Sequence, residues 1–241
     1  NYIILFLGIF LLLKYSIKNW SQIKINFFLL AFSLSIFFVL HFKAHDDFSY
    51  YHLSFISNLT NNKIEFGLGH FDVAFNHVSS LFYLHSLFKT PLTNDLYYFV
   101  GQSWIVIFSN IILFESIFTK YKNSKLSTSF YLSIFCLIFI NVFFYRIAEH
   151  GTDRSAQILF FLSFIFIILI FESKNFSNKF FEILLIIFTL IVTIKSFYLL
   201  YSILLFLVYL KYFKFNQILQ VFKKFPIIYL CVTSVIFLVV Y

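Results

Sequence analysis

Methionine is absent from this chain, proline and cysteine each appear twice, glycine appears five times, and charged residues fill only 12% of the 241 positions. A soluble domain carries about twice that share of charge, so an ordinary water-facing globule is excluded. No Gly-rich phosphate loop, GxSxG elbow, CxxC or HExxH is present, which removes P-loop, serine-hydrolase, dithiol and zincin chemistry. Cys136 and Cys231 sit far apart in separate apolar segments, where they read as inert packing residues and not as a disulfide or metal pair. With no methionine and with apolar sequence at both ends, the chain reads as a piece of a longer protein, short of its N-terminal and C-terminal parts. Tyr2–Leu13 lacks a basic leader and a small-residue cleavage site, so it is not read as a signal peptide.

What fills the chain is apolar: 61% of residues are hydrophobic, 40 of them phenylalanine, and mean hydropathy is +0.90. Phe, Lys, Asn and Ile share A/T-rich codons, so this composition reports a low-GC genome, and aromatic stripes are read as lipid-facing or core surfaces. Runs of about 15–23 apolar residues separated by short polar segments predict a polytopic helical membrane protein. The expected fold class is therefore all-α, a transmembrane helical bundle forming a single domain over residues 1–241. Eight spans are expected: Tyr2–Leu13, Phe27–Leu40, Leu96–Phe118, Phe130–Tyr145, Ser155–Phe171, Phe180–Ile194, Phe197–Leu210 and Phe225–Tyr241.

The net charge of +8 does not point to nucleic acid, because no stretch resembles a nucleic-acid module and the lysines cluster in short connections. Twelve of the 18 basic residues fall on alternate connections, at Lys14–Lys24, Lys120–Lys125, Lys174–Lys179 and Lys211–Lys224. The opposite connections receive seven of the ten acids and all seven histidines. By the positive-inside rule the first set is cytoplasmic. The long 41–95 segment, the Arg146–Arg154 connection and the turn at Lys195 are then extracytoplasmic. Within 41–95, Phe71–Phe88 carries Asp72, Asn76, Ser79, Tyr83 and Ser86 at helical spacing. It is expected to be an amphipathic helix in the outer interface or tucked against the bundle; the alternative is a polar seam buried between spans. The stretch from Lys211 to Lys224 alternates lysine with Phe, Ile, Leu and Val and suits a cytoplasmic interfacial helix drawn to anionic lipid.

Residues 45–52 read His-Asp-Asp-Phe-Ser-Tyr-Tyr-His, a few residues beyond an apolar span. Adjacent carboxylates at the edge of a bilayer are costly to keep, so Asp46 and Asp47 are candidate catalytic groups. Partial desolvation and a second carboxylate both raise proton affinity, which suits a general base. The competing reading is that the pair caps a helix or solvates the end of a span. Arg146, Glu149, His150, Asp153 and Arg154 crowd the next outer connection. Forked, permanently charged arginines there suit a lipid phosphate, whereas local pairing would give Arg146–Glu149 and Asp153–Arg154. Lys195 either marks a turn or supplies a third cation to that phosphate. His45 and His52 flank the acidic pair and join the substrate-binding candidates. No cofactor is assigned, although a divalent cation held by His45, Asp46, Asp47 and His52 is left open.

The DDFSYYH stretch, followed by GLGHFDVAFNHVSSLFYLHSLF at 67–88, resembles the GT-C superfamily of integral-membrane glycosyltransferases over residues 27–210. The resemblance implies transfer of a sugar from a polyprenyl-phosphate carrier to an acceptor on the outer face of a bacterial inner membrane. It implies Asp46 or Asp47 as the base that deprotonates the acceptor. Members of that superfamily usually have more spans and a further soluble domain. Two other readings stand beside it: a transporter or lipid translocator, and an envelope polysaccharide ligase or polymerase.

Overall fold

A computed structural model describes residues 2–40, 47–62, 67–70, 73–76, 78–88, 100–144, 152–173, 178–213 and 218–240. Among them every regular element is helical: α1 (Tyr2–Asn19), α2 (Gln22–Leu40), α3 (Leu53–Asn61), α4 (Ser80–Leu87), α5 (Val100–Lys122), α6 (Thr128–Phe143), α7 (Thr152–Glu172), α8 (Asn178–Ile194), α9 (Ile203–Tyr212), α10 (Ile218–Lys224) and α11 (Ile227–Val240). A π-helical turn at Phe48–His52 leads into α3, and a 3-10 segment at Ser196–Ser202 leads into α9. Among the described residues seven of the eight apolar runs each overlap one of these helices, and Phe197–Leu210 is divided between the 3-10 segment and α9. Two of them, α5 and α7, are long and apolar enough to cross a membrane.

The helical state itself needs an explanation, because these segments are rich in phenylalanine and isoleucine, which in water favour strands. A helix satisfies all its backbone hydrogen bonds within one segment, which is what an apolar surrounding demands. The surface of α6 is consistent with that demand. Its outward face carries Tyr131, Phe135, Ile138 and Val142, each 56–59% exposed, while Ser129, Ser133, Cys136 and Ile140 on the opposite face are buried. This is the reverse of a water-soluble helix. Four such side chains left in water would forgo about 6–12 kcal/mol of burial.

The main core forms around α7, which packs against α5, α6, α8 and α9 and contributes Ile158, Leu162, Ile165 and Ile170 to the interior. α2 lies along α5, and α11 lies along α8. A smaller core of Phe48, Phe55, Ile56 and Phe82 joins the π-turn, α3 and α4. Between α5 and α6, the amides of Asn110 and Asn141 exchange two hydrogen bonds of 3.0 and 2.9 Å. Glu115, farther along α5 toward the lysine-rich end and half exposed, pairs with Lys24 at 2.9 Å.

The 71–88 segment differs from the single helix expected. Its described part holds a 3-10 turn at Val73–Asn76 and then the eight-residue α4. Leu81, Phe82, His85 and Ser86 of α4 are all buried. A Cβ at Gly101 would come within 2.9 Å of the His85 ring, so the missing side chain lets α4 lie tightly against the start of α5.

Candidate functional site at one end of the bundle

The antiparallel helices sort the polar residues into two ends. At one end Lys120, in the last turn of α5, meets Glu172, in the last turn of α7, at 2.9 Å. The Glu172 carboxylate also accepts the Ser129 amide at 2.8 Å, occupying one of the free donors at the start of α6. Lys211 of α9 donates to the Phe171 carbonyl at the same end. Asp153 lies at the other end of α7, about 30 Å away at 1.5 Å rise per residue.

At that far end Asp153 forms an ion pair with Lys195, which directly follows α8. Each charge also suits its helix terminus, the acid in a first turn and the cation after a last turn. Of the two local pairs, Asp153–Arg154 gives way, since Asp153 pairs with a residue 42 positions away; Arg146–Glu149 lies outside the described residues. Arg154 instead sits 5.1 Å from the centre of the Phe144 ring. Side-chain exposures of 59% for Asp153 and 40% for Lys195 put the pair in the class worth under about 1 kcal/mol. Lys195 can exchange this partner for another anion at little cost.

Asp47 stands at the head of the π-turn, where its side chain makes no capping bond. Its Oδ2 instead accepts a long 3.5 Å hydrogen bond from the Tyr51 hydroxyl. The Leu53 amide donates to the Phe48 carbonyl five residues back, the widened turn that often marks functional positions. Burial pushes the Tyr51 phenol above its ordinary value, and the Asp47 charge, the Asp47 hydrogen bond and the Asp153 charge push the same way. Tyr51 is thus an electrostatic neighbour of both acids. Two separate contacts are in place, a hydrogen bond from Tyr51 to Asp47 and an ion pair between Lys195 and Asp153.

His52 goes elsewhere. It is 2% exposed, with its ring 4.9 Å from Phe82 and 4.4 Å from Tyr51, so it belongs to the small core beneath the site. His45, Asp46, Arg146, Glu149 and His150 lie outside the described residues. Among the described residues no group of three or more His, Cys, Asp or Glu side chains is placed to hold a metal ion. Of the four residues in the divalent-cation reading, Asp47 and His52 are described, and His45 and Asp46 are not.

Two features here carry little local signal in the sequence. The Ser79 hydroxyl donates to the Ile194 carbonyl at 2.8 Å, and Thr193 donates to the Ser80 hydroxyl at 3.1 Å. These bonds fasten α4 to the end of α8 beside Lys195. Below them a cleft of about 610 Å³ runs between α4, α8 and α11, lined by Leu190, Leu230, Phe237 and the hydroxyls of Ser80, Thr189 and Thr193, among others. A second cavity of about 330 Å³, on the α5 and α7 side, shares Ser80 and Leu190 with the first.

A comparison with curated proteins and with solved structures returns no match. One family profile does match, over residues 2–241, and the chain therefore belongs to the family described as domain of unknown function DUF8201.

Proposed function

We propose that this chain is an integral-membrane glycosyltransferase that takes a sugar from a polyprenyl-phosphate carrier on the extracytoplasmic face of a bacterial inner membrane. The observation that supports the reading is the exposed Asp153–Lys195 ion pair at the end of the bundle away from the lysine-rich connections, alongside the Tyr51 hydrogen bond to Asp47. The outward apolar stripe of α6 supports a lipid surrounding. The cleft reaching Thr193, two residues before Lys195, offers the carrier's chain a seat next to a cation.

In this reading the Asp47 carboxylate takes the proton of an acceptor hydroxyl, with Asp46 its neighbour in sequence. The acceptor oxygen then bonds to the anomeric carbon. The bond from that carbon to the phosphate oxygen breaks, and its electron pair leaves on the polyprenyl phosphate. Lys195 and Arg154 offset the charge that develops on the leaving phosphate. The transporter reading gains nothing at depth, since Asn110 and Asn141 bond to each other, and Glu115, toward the lysine-rich end, pairs with Lys24.

The test is transfer from a polyprenyl-phosphate sugar by the reconstituted chain. Asp47→Asn is expected to reduce the rate by about 10²–10⁴-fold, the usual worth of a general base, with helical content unchanged. Full transfer in both Asp46→Asn and Asp47→Asn removes the assignment. Orientation is read by labelling Asp47→Cys and Asn123→Cys from outside with an impermeant maleimide, the native Cys136 and Cys231 being buried. Labelling at 123 and not at 47 reverses the topology.

A further inference from the structure

We infer that the lysine-rich end binds the headgroup of an anionic glycerophospholipid on a shelf built by Lys211 and Lys224. Eight described lysines fall at this end, from Lys24 to Lys224, against three glutamates, Glu115, Glu172 and Glu182. Two of those glutamates are already engaged, Glu115 by Lys24 and Glu172 by Lys120. The excess positive charge is therefore left to face something outside the protein.

Two of these cations stand on a fixed base. The Lys211 ammonium lies 4.4 Å from the centre of the Phe171 ring and 5.2 Å from that of Tyr212, and donates to the Phe171 carbonyl at 3.1 Å. Lys224 lies 5.6 Å from the Phe213 ring and 5.4 Å from the Phe225 ring. Phe213 and Phe225 meet edge to face at 6.5 Å, and Phe225, fully buried, packs on Phe181 at 5.1 Å. Rings of this kind hold a cation by their negative faces, and the long apolar stems of lysine lie along them. Both ammonium groups are thereby preorganised at the end of the bundle, with less entropy to lose on meeting an anion.

The surface next to the shelf decides what kind of anion. Leu207 and Leu210 of α9 and Tyr229 and Leu230 of α11 are 48–62% exposed. A negative group bound at Lys211 therefore has the exposed Leu207 and Leu210 on the same helix, and one bound at Lys224 has the exposed Tyr229 at the start of α11. A phospholipid carries its phosphate above hydrocarbon chains and meets both surfaces; inorganic phosphate or a nucleic acid meets only the first. The inference rests on the chain being membrane-embedded and is independent of the transferase chemistry at the opposite end.

The experiment is native mass spectrometry of the purified chain released from micelles containing phosphatidylglycerol or phosphatidylcholine. Wild type is expected to retain phosphatidylglycerol in preference to phosphatidylcholine. Lys211→Gln with Lys224→Gln is expected to lower that retention about thirty-fold, from roughly fivefold per lysine, while Lys211→Arg with Lys224→Arg keeps it. Equal retention of the two lipids, an unchanged glutamine variant, or displacement by inorganic phosphate overturns the inference. Should the glutamine variant fail to fold, a salt series on wild type decides. Phosphatidylglycerol retention must fall between roughly 0.05 and 0.5 M salt, and a flat series counts against the shelf. Loss of sugar transfer, by contrast, leaves this result untouched.

Discussion

Replacing Asn110 by leucine tests the packing logic of the bundle most directly, because the change keeps bulk while removing two hydrogen bonds. Asn110 is fully buried, and its amide holds that of Asn141 through reciprocal bonds of 3.0 and 2.9 Å. In the variant, Asn141 keeps only its 2.7 Å bond to the Leu137 carbonyl, and its Oδ1 loses the donor from α5. Interhelical bonds in a membrane average about 0.6 and reach about 1.7 kcal/mol each. An orphaned buried acceptor adds about 1–3 kcal/mol. Asn110→Leu is therefore expected to cost about 2–3 kcal/mol, and Asn141→Leu a similar amount. The double variant, with no polar group left to satisfy, should return to within about 1 kcal/mol of wild type. Unfolding of the four proteins in detergent, followed by circular dichroism, closes a double-mutant cycle. If the double variant loses the sum of the single losses, the two amides are not coupled and the account of this helix contact is wrong.

Two further outcomes follow from contacts near the candidate site. Gly101→Val drives a side chain into the His85 ring and the Leu84 side chain, 2.9 and 3.1 Å from where a Cβ would sit; it should cost about 1–3 kcal/mol of overpacking, visible as a lowered melting temperature. Tyr51 is raised above its ordinary value by burial and then by Asp47 and Asp153. Its contribution to stability is therefore fully present below the unfolded phenol's value of about 10 and is lost as pH rises through the higher folded value. Ultraviolet titration of tyrosinate should lose a late-titrating component in Tyr51→Phe, and an unchanged late component in that variant would contradict the raised value of Tyr51.

Eight of the helices were legible because each overlaps a long apolar run; α3 overlaps none and was not expected. Lysines such as Lys120 and Lys211 mark one set of connections and acids such as Asp47 and Asp153 the other, and contacts of the structure keep those two sets at opposite ends. The acid at 47 stands out in the sequence by its place just beyond an apolar run, whereas its hydrogen bond from Tyr51 is supplied by the structure. What local sequence does not carry is pairing across long separations. Asp153 has an arginine as its immediate neighbour, yet it takes Lys195 because antiparallel α7 and α8 put those two positions at one level. Periodicity over 71–88 suggests one continuous helix, but the polar positions are satisfied through tertiary contacts such as Ser79 to Ile194. His52 flanks the acidic pair in sequence; burial against Phe82 removes it from the surface. Side-chain burial of that kind depends on which segments meet, and no spacing rule encodes it.

Fastening the first turn of α4 to Ile194 and Thr193 has a mechanical consequence. The residue next in the chain is Lys195, so α4 and the amine behave as parts of one lever. A ligand that wedges apart α4 and α8 tugs on Lys195, and capture of an anion by Lys195 tightens or slackens the same seam. Occupancy of the hydrocarbon slot and release of Asp153 would then rise and fall together, without any hinge in the long helices.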